Sequence, residues 1–137
     1  MKGLFVDTAG WMACADGSDP AHAKARAERD AAMAGGAMLV TTDYVADETL
    51  TLIRMRLGLD AAEAWWHQVD GSSRVRWEWI DQSRADKARA IFFRHRDKTY
   101  SFTDCASLVV MRELKLRQVL TTDDHFRQMG LHVLPDG

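Results

Sequence analysis

Short apolar runs alternate along this chain with longer segments of helical composition. Leu4–Asp7, Met38–Thr42, Val75–Ile80, Gln118–Thr122 and His132–Leu134 are rich in Val, Leu, Ile and Trp and read as strands. Asp19–Ala34, Asp43–Leu57, Asp60–Val69, Gln82–Arg96 and Thr103–Leu116 read as helices, with a short one from Asp124. Parallel strands need crossover helices, so the alternation predicts an α/β domain with a mainly parallel sheet of about five strands flanked by helices. Asp19 before Pro20 predicts an N-cap with proline at the first helical position. Gly35-Gly36 and Gly58 supply stops. In Val75–Ile80, Val75, Trp77 and Trp79 alternate with Arg76 and Glu78, which suits a strand near a sheet edge with one wetter face. After its first residue, Asp104–Met111 is apolar nearly all round and predicts a buried central helix.

Size and composition narrow the class. The chain has 137 residues and 15.5 kDa, about one domain's worth. With two prolines and no low-complexity tract there is no linker, so residues 1–137 read as one unit. An apolar share of 47% with 28% charged residues excludes a disordered chain. Apolar runs such as Leu108–Met111 fall far below the roughly twenty residues of a membrane span. Asp7 interrupts the first apolar stretch too early for a secretory leader. Cys14 and Cys105 form no paired spacing, so neither a disulfide framework nor a cysteine zinc site is expected, and a reduced cytoplasmic protein is. The histidines, among them His22, His67 and His125, form no metal signature. No P-loop or GxGxxG is present.

The informative residues are acids in unexpected places. Asp7 ends one apolar strand and Asp123 another, and the carboxyl ends of parallel strands line the crevice where ligands bind; alternatively each caps the helix that follows. On Asp43–Leu57, Val45, Glu48, Leu52 and Met55 form one stripe, apolar but for the glutamate, while Asp47 shares a polar stripe with Asp43, Thr51 and Arg54. Glu48 is therefore expected on the buried face, where a carboxylate requires a cation, donors or a metal. Asp104 opens the apolar helix; Thr103 or Asp104 as a plain cap is the alternative. Four carboxylates converging in one cleft would repel, and divalent cations are the usual remedy. Oxygen ligands with no Cys or His nearby select Mg²⁺ or Mn²⁺. Eighteen Lys and Arg face twenty Asp and Glu; setting the four acids aside turns the −2 balance to +2, so a metal-loaded cleft need not repel a polyanion.

Over essentially its whole length the chain resembles the PIN-domain ribonucleases, in particular the VapC-type toxins of prokaryotic toxin–antitoxin pairs. The resemblance rests on Phe5-Val6-Asp7-Thr8, Val45-Ala46-Asp47-Glu48-Thr49, Tyr100 to Ser107, and Leu120 to Phe126 followed by Gly130. It implies a single PIN-like domain, a Mg²⁺- or Mn²⁺-dependent endoribonuclease with one or two ions per site, and a homodimer silenced by a small antitoxin. Asp7, Glu48 and Asp104 match the family's three core acids and Asp123 the fourth, with Asp124 an additional acid beside it. Thr8 and Ser101 match supporting hydroxyl positions. The expected chemistry is hydrolysis of an RNA phosphodiester by metal-activated water. The alternative is a catalytically inactive PIN-like module that binds RNA or protein.

RNA contacts are expected from Arg94, Arg96 and Lys98, a basic stretch that also suits a helix C-terminus. Trp77 and Trp79 are expected to serve packing more than base stacking, and Trp11 to pack in the core or wall the site. His125 is a candidate to touch substrate or an acid.

Overall fold

The computed structural model describes residues 1–136 and resolves them into five strands and seven helices. In chain order these are β1 (Gly3–Val6), α1 (Thr8–Ala15), α2 (His22–Ala34), β2 (Met38–Thr42), α3 (Asp43–Leu57), α4 (Leu59–Asp70), β3 (Val75–Glu78), α5 (Gln82–Arg94), α6 (Phe102–Glu113), β4 (Gln118–Leu120), α7 (His125–Gln128) and β5 (His132–Leu134). Residue 137 lies outside this description. All strand pairs are parallel and the sheet order is β3-β2-β1-β4-β5. The five expected strands are present, and β3 is the edge strand its alternation calls for.

β1 and β4 pair through Phe5 with Val119 and Val6 with Leu120. From β1 the chain builds outward to β2 and β3 on one side, then returns to add β4 and β5 on the other. The order therefore reverses between β1 and β4, and a crevice opens beyond their carboxyl ends. Leu4, Phe5, Val6, Val119 and Leu120 are almost fully buried, so this edge of the sheet has a rigid floor.

α6 is buried on every side from Asp104 to Met111. Val110 and Met111 pack with the core on the sheet, while Leu108 and Val109 join Ala88 and Ile91 of α5 and Tyr100 in a second cluster. An apolar helix with no polar face suits that sandwiched place.

Two expectations need correction. α2 starts at His22, not Asp19, because the Asp19 carboxylate accepts from the Ala21 amide at 2.8 Å and closes a turn of its own. α1 is an element the periodicity does not single out. Gly10 to Cys14 are all buried, and a helix packed all round carries no amphipathic stripe. Gly10 lets α1 settle on β4, since a Cβ there would overlap the Leu120 carbonyl. Smaller shifts move the end of α5 to Arg94 and the start of α6 to Phe102.

Candidate active site

One groove beyond the carboxyl ends of β1 and β4 is lined by Asp7, Glu48, Asp104 and Asp123, together with Thr8, Ser101, Thr103 and His125. Each acid is delivered by a different piece of the fold. Asp7 follows β1 and is the N-cap of α1. Its Oδ1 accepts from the Gly10 amide at 2.9 Å and its Oδ2 from the Thr121 hydroxyl at 2.8 Å. Asp104 sits in the first turn of α6 in a reciprocal capping box. The Ser101 amide donates to Asp104 Oδ2 at 3.0 Å, and the Asp104 amide donates to Ser101 Oγ at 2.9 Å. Asp123 lies in the loop after β4, its amide donating to Thr121 Oγ1 at 2.9 Å and its Oδ1 accepting from the His125 amide at 2.9 Å. Capping and groove-lining are thus not alternatives for Asp7 and Asp104, which do both.

Glu48 corrects the reading of α3. The buried face of that helix is Val45, Ala46, Thr49 and Ile53, and Met55 is 75% exposed. Glu48 stands beside the buried face, with Leu52 and Arg56, on the wall of the groove. It is exposed there, and the Thr8 hydroxyl donates to its Oε1 at 3.2 Å.

The electrostatics are those of a negative pocket short of cations. Burial pushes the Asp7 carboxyl up to about 7; the Gly10 and Thr121 hydrogen bonds oppose this, and the charges of Asp104 and Asp123 add to it. Glu48 is also raised, first by desolvation and then by Asp104 and Asp47, against hydrogen bonds from Thr8 and Thr103. Arg56 is the one arginine or lysine among the lining residues. Oxygen donors gathered where burial and like charge raise Asp7 and Glu48 are suited to a hard divalent cation, so the residues present fit Mg²⁺ or Mn²⁺. Asp104, Asp123 and His125 bring one ligand-type atom each within 4.8 Å of one another.

The PIN domain profile matches residues 4–131. The chain belongs to the PIN domain family. It is 30% identical over 130 residues to the 23S rRNA-specific endonuclease VapC20 of Mycobacterium tuberculosis, covering 93% of this chain and 94% of that protein. It is 27% identical over 122 residues to ribonuclease VapC26 of the same species, covering 88% and 86%. The crystal structure of M. tuberculosis VapC20, described as a sarcin-ricin loop cleaving toxin, superimposes with a TM-score of 0.84. There the identity is 29%, with 94% of this chain and 96% of that chain covered.

Within this PIN domain other candidate residues lie apart from the groove. Asp124 is turned to solvent, its side chain 76% exposed and paired with Arg127 at 2.7 Å. Arg94 at the end of α5 and Arg96 and Lys98 on the segment after it are exposed and are not among the lining residues. Trp11 is in the core, its indole donating to Thr41 Oγ1 at 3.3 Å and its ring edge-on to Trp65. Trp77 is half-buried and stacks on exposed Trp79. One groove residue escapes the sequence reading. Thr121, fully buried, bridges Asp7 and Asp123; as the residue two before an acid in a Thr-Thr pair it carries no distinctive signal. His125, the candidate to touch substrate or an acid, reaches one: its Nδ1 lies 2.8 Å from Asp104 Oδ2, and the expectation of no histidine near the acids does not hold. Its place two residues after Asp123 was the available clue.

Among the described residues no helix is long and apolar enough to cross a membrane.

Proposed function

We propose that this PIN-domain ribonuclease is the toxin of a toxin–antitoxin pair, cleaving RNA internally with Mg²⁺ or Mn²⁺ held by Asp7, Glu48, Asp104 and Asp123. The observation that carries the reading is the gathering of these four carboxylates, from stretches dispersed over the chain, along one groove at the reversal of the sheet order. All four acids are in place, which disfavours a catalytically inactive module. The ion, when bound, supplies an acidified water and positive charge against the phosphate for in-line displacement.

The protein's own residues do the rest. Asp7 would hold the ion as a carboxylate, and the Gly10 amide and Thr121 hydroxyl fix its orientation. Thr8 steadies Glu48 from the opposite wall. Ser101 ties Asp104 to the start of α6, where the helix dipole favours its charge. Arg94, Arg96 and Lys98 would meet the phosphates of a long substrate outside the groove. The ion count and the choice between Mg²⁺ and Mn²⁺ belong to this proposal, as does the assignment of Asp123 over Asp124.

A small antitoxin is the proposed protein partner and a homodimer the proposed assembly. Exposed Phe92 and Phe93, packed edge-on at the end of α5, are the kind of apolar surface a second copy would cover. A cytoplasmic site of action follows from the substrate. The test is cleavage of 23S rRNA, tRNA and an unstructured RNA by purified protein with Mg²⁺, Mn²⁺ or EDTA, beside an Asp104→Asn control. Expected is internal cleavage that needs the metal and vanishes in the variant; cleavage undiminished by EDTA and by Asp104→Asn would overturn the reading.

A further inference from the structure

The groove contains a histidine that the four-acid reading leaves without a task. His125 is held on several sides. Its backbone amide donates to Asp123 Oδ1. Its Nε2 lies 3.1 Å from Thr99 Oγ1. Its ring stands edge-on to Tyr100 with centroids 5.6 Å apart, and Tyr100 is edge-on in turn to His95. Its Nδ1 is 2.8 Å from Asp104 Oδ2 and 3.4 Å from Asp123 Oδ1. A carboxylate only accepts, so Nδ1 carries a proton and donates it; in the neutral ring Nε2 is then the acceptor for the Thr99 hydroxyl. Bearing that proton, Nδ1 has no lone pair for a metal.

We propose that His125 is a positioning residue, whose Nδ1–H turns the Asp104 carboxylate so that Oδ1 faces the groove as the ligand atom. Asp104 Oδ2 already accepts from the Ser101 amide, and the imidazole supplies its second donor. No donor among the described residues reaches Oδ1, which is left for a cation. Partners that orient a ligating carboxylate typically change metal affinity 10–100-fold when removed. This inference rests on the metal-site reading above.

The test uses the two amides that imitate the two ring nitrogens. The Nδ2 of His125→Asn sits near the position of Nδ1, and the Nε2 of His125→Gln near that of Nε2. Mn²⁺ and Mg²⁺ would be titrated calorimetrically into RNA-free protein, with melting in EDTA as a folding control. Expected is near-native affinity in His125→Asn, with affinity weakened about tenfold or more in His125→Gln and His125→Ala. Melting temperatures of all three should agree. In cleavage assays His125→Gln should need more metal but approach native kcat at saturation, with KM for RNA unchanged. Equal loss in Asn and Gln variants overturns the proposal, as a histidine that ligates the ion itself would give. Equal retention, or loss confined to the Asn variant, overturns it too. Asp104→Asn separates the two readings: if that variant binds metal like wild type, the metal-site reading fails and no outcome at position 125 is ascribed to positioning.

Discussion

Replacing Asp7 with Asn should stabilise the metal-free protein, and by more at high pH than at low. Asp7 is 6% exposed and its carboxyl is held at about 7, against 3.8 for the free side chain. A folded pKa above the unfolded one means that the native state keeps a proton the unfolded chain has shed. Stability from this group is therefore full below about pH 4 and is lost as pH rises toward about 7. Relative to a neutral isostere, ionisable Asp7 costs the metal-free fold about 4 kcal/mol at pH 8 and about 2 kcal/mol at pH 5. Asn keeps the cap, since its carbonyl can accept from Gly10 as Asp does. It cannot accept from Thr121, which costs about 1 kcal/mol for a hydroxyl left seeking a partner. The net expectation is a gain of about 3 kcal/mol at pH 8 shrinking to about 1 kcal/mol at pH 5. Urea denaturation of both proteins in EDTA at the two pH values measures it, and comparing variant with wild type cancels the titration of groups that do not interact with Asp7. Millimolar Mg²⁺ should reverse the order, because the ion binds and stabilises only the protein that can ionise. A variant less stable than wild type at pH 8 in EDTA, or a gain independent of pH, would refute the argument that burial and like charges raise Asp7.

Other consequences can be checked more briefly. Thr121→Val removes the donor to Asp7 and the acceptor for the Asp123 amide, so it should cost about 1–3 kcal/mol in denaturant and lower Mn²⁺ affinity about tenfold; native affinity would show that the bridge is idle. Asp124→Asn breaks only an exposed pair with Arg127 and should change stability by less than about 0.5 kcal/mol, with cleavage intact. Asp123→Asn should abolish cleavage while the circular dichroism stays native, and the opposite pattern would make Asp124 the fourth acid. Gly10→Ala should cost at least about 1–3 kcal/mol, because the added carbon must displace α1 from β4. A midpoint unchanged from wild type would mean that the helix can slide freely.

The sheet was legible because its strands are short, apolar and punctuated, and a parallel sheet leaves that signature wherever it is covered on both faces. α6 was legible for the same reason. α1 was not, since burial on every side erases the period by which a helix is recognised, and its best boundary mark, Asp7, had two meanings at once. Glu48 lies in the groove, but not for the reason its stripe suggests. The apolar spacing points that stripe inward, whereas α3 buries Val45, Ala46, Thr49 and Ile53, and the glutamate flanks the cleft beside them. Thr121 could not be placed, because what distinguishes it is a partner far away in sequence, Asp7; His125 could be suspected from its nearness to Asp123, but its partner Asp104 could not be named.

The pairing of β1 with β4 joins stretches far apart in the sequence, Phe5 to Val119 and Val6 to Leu120. Asp7 therefore leaves the ribosome well before the strand that shelters it and the loop bearing Asp123. A chain still in translation therefore has only part of the groove's acids, and one halted before β4 leaves α1 without the surface it rests on. A nuclease built this way assembles its groove only after β4 and the loop beyond it have been made.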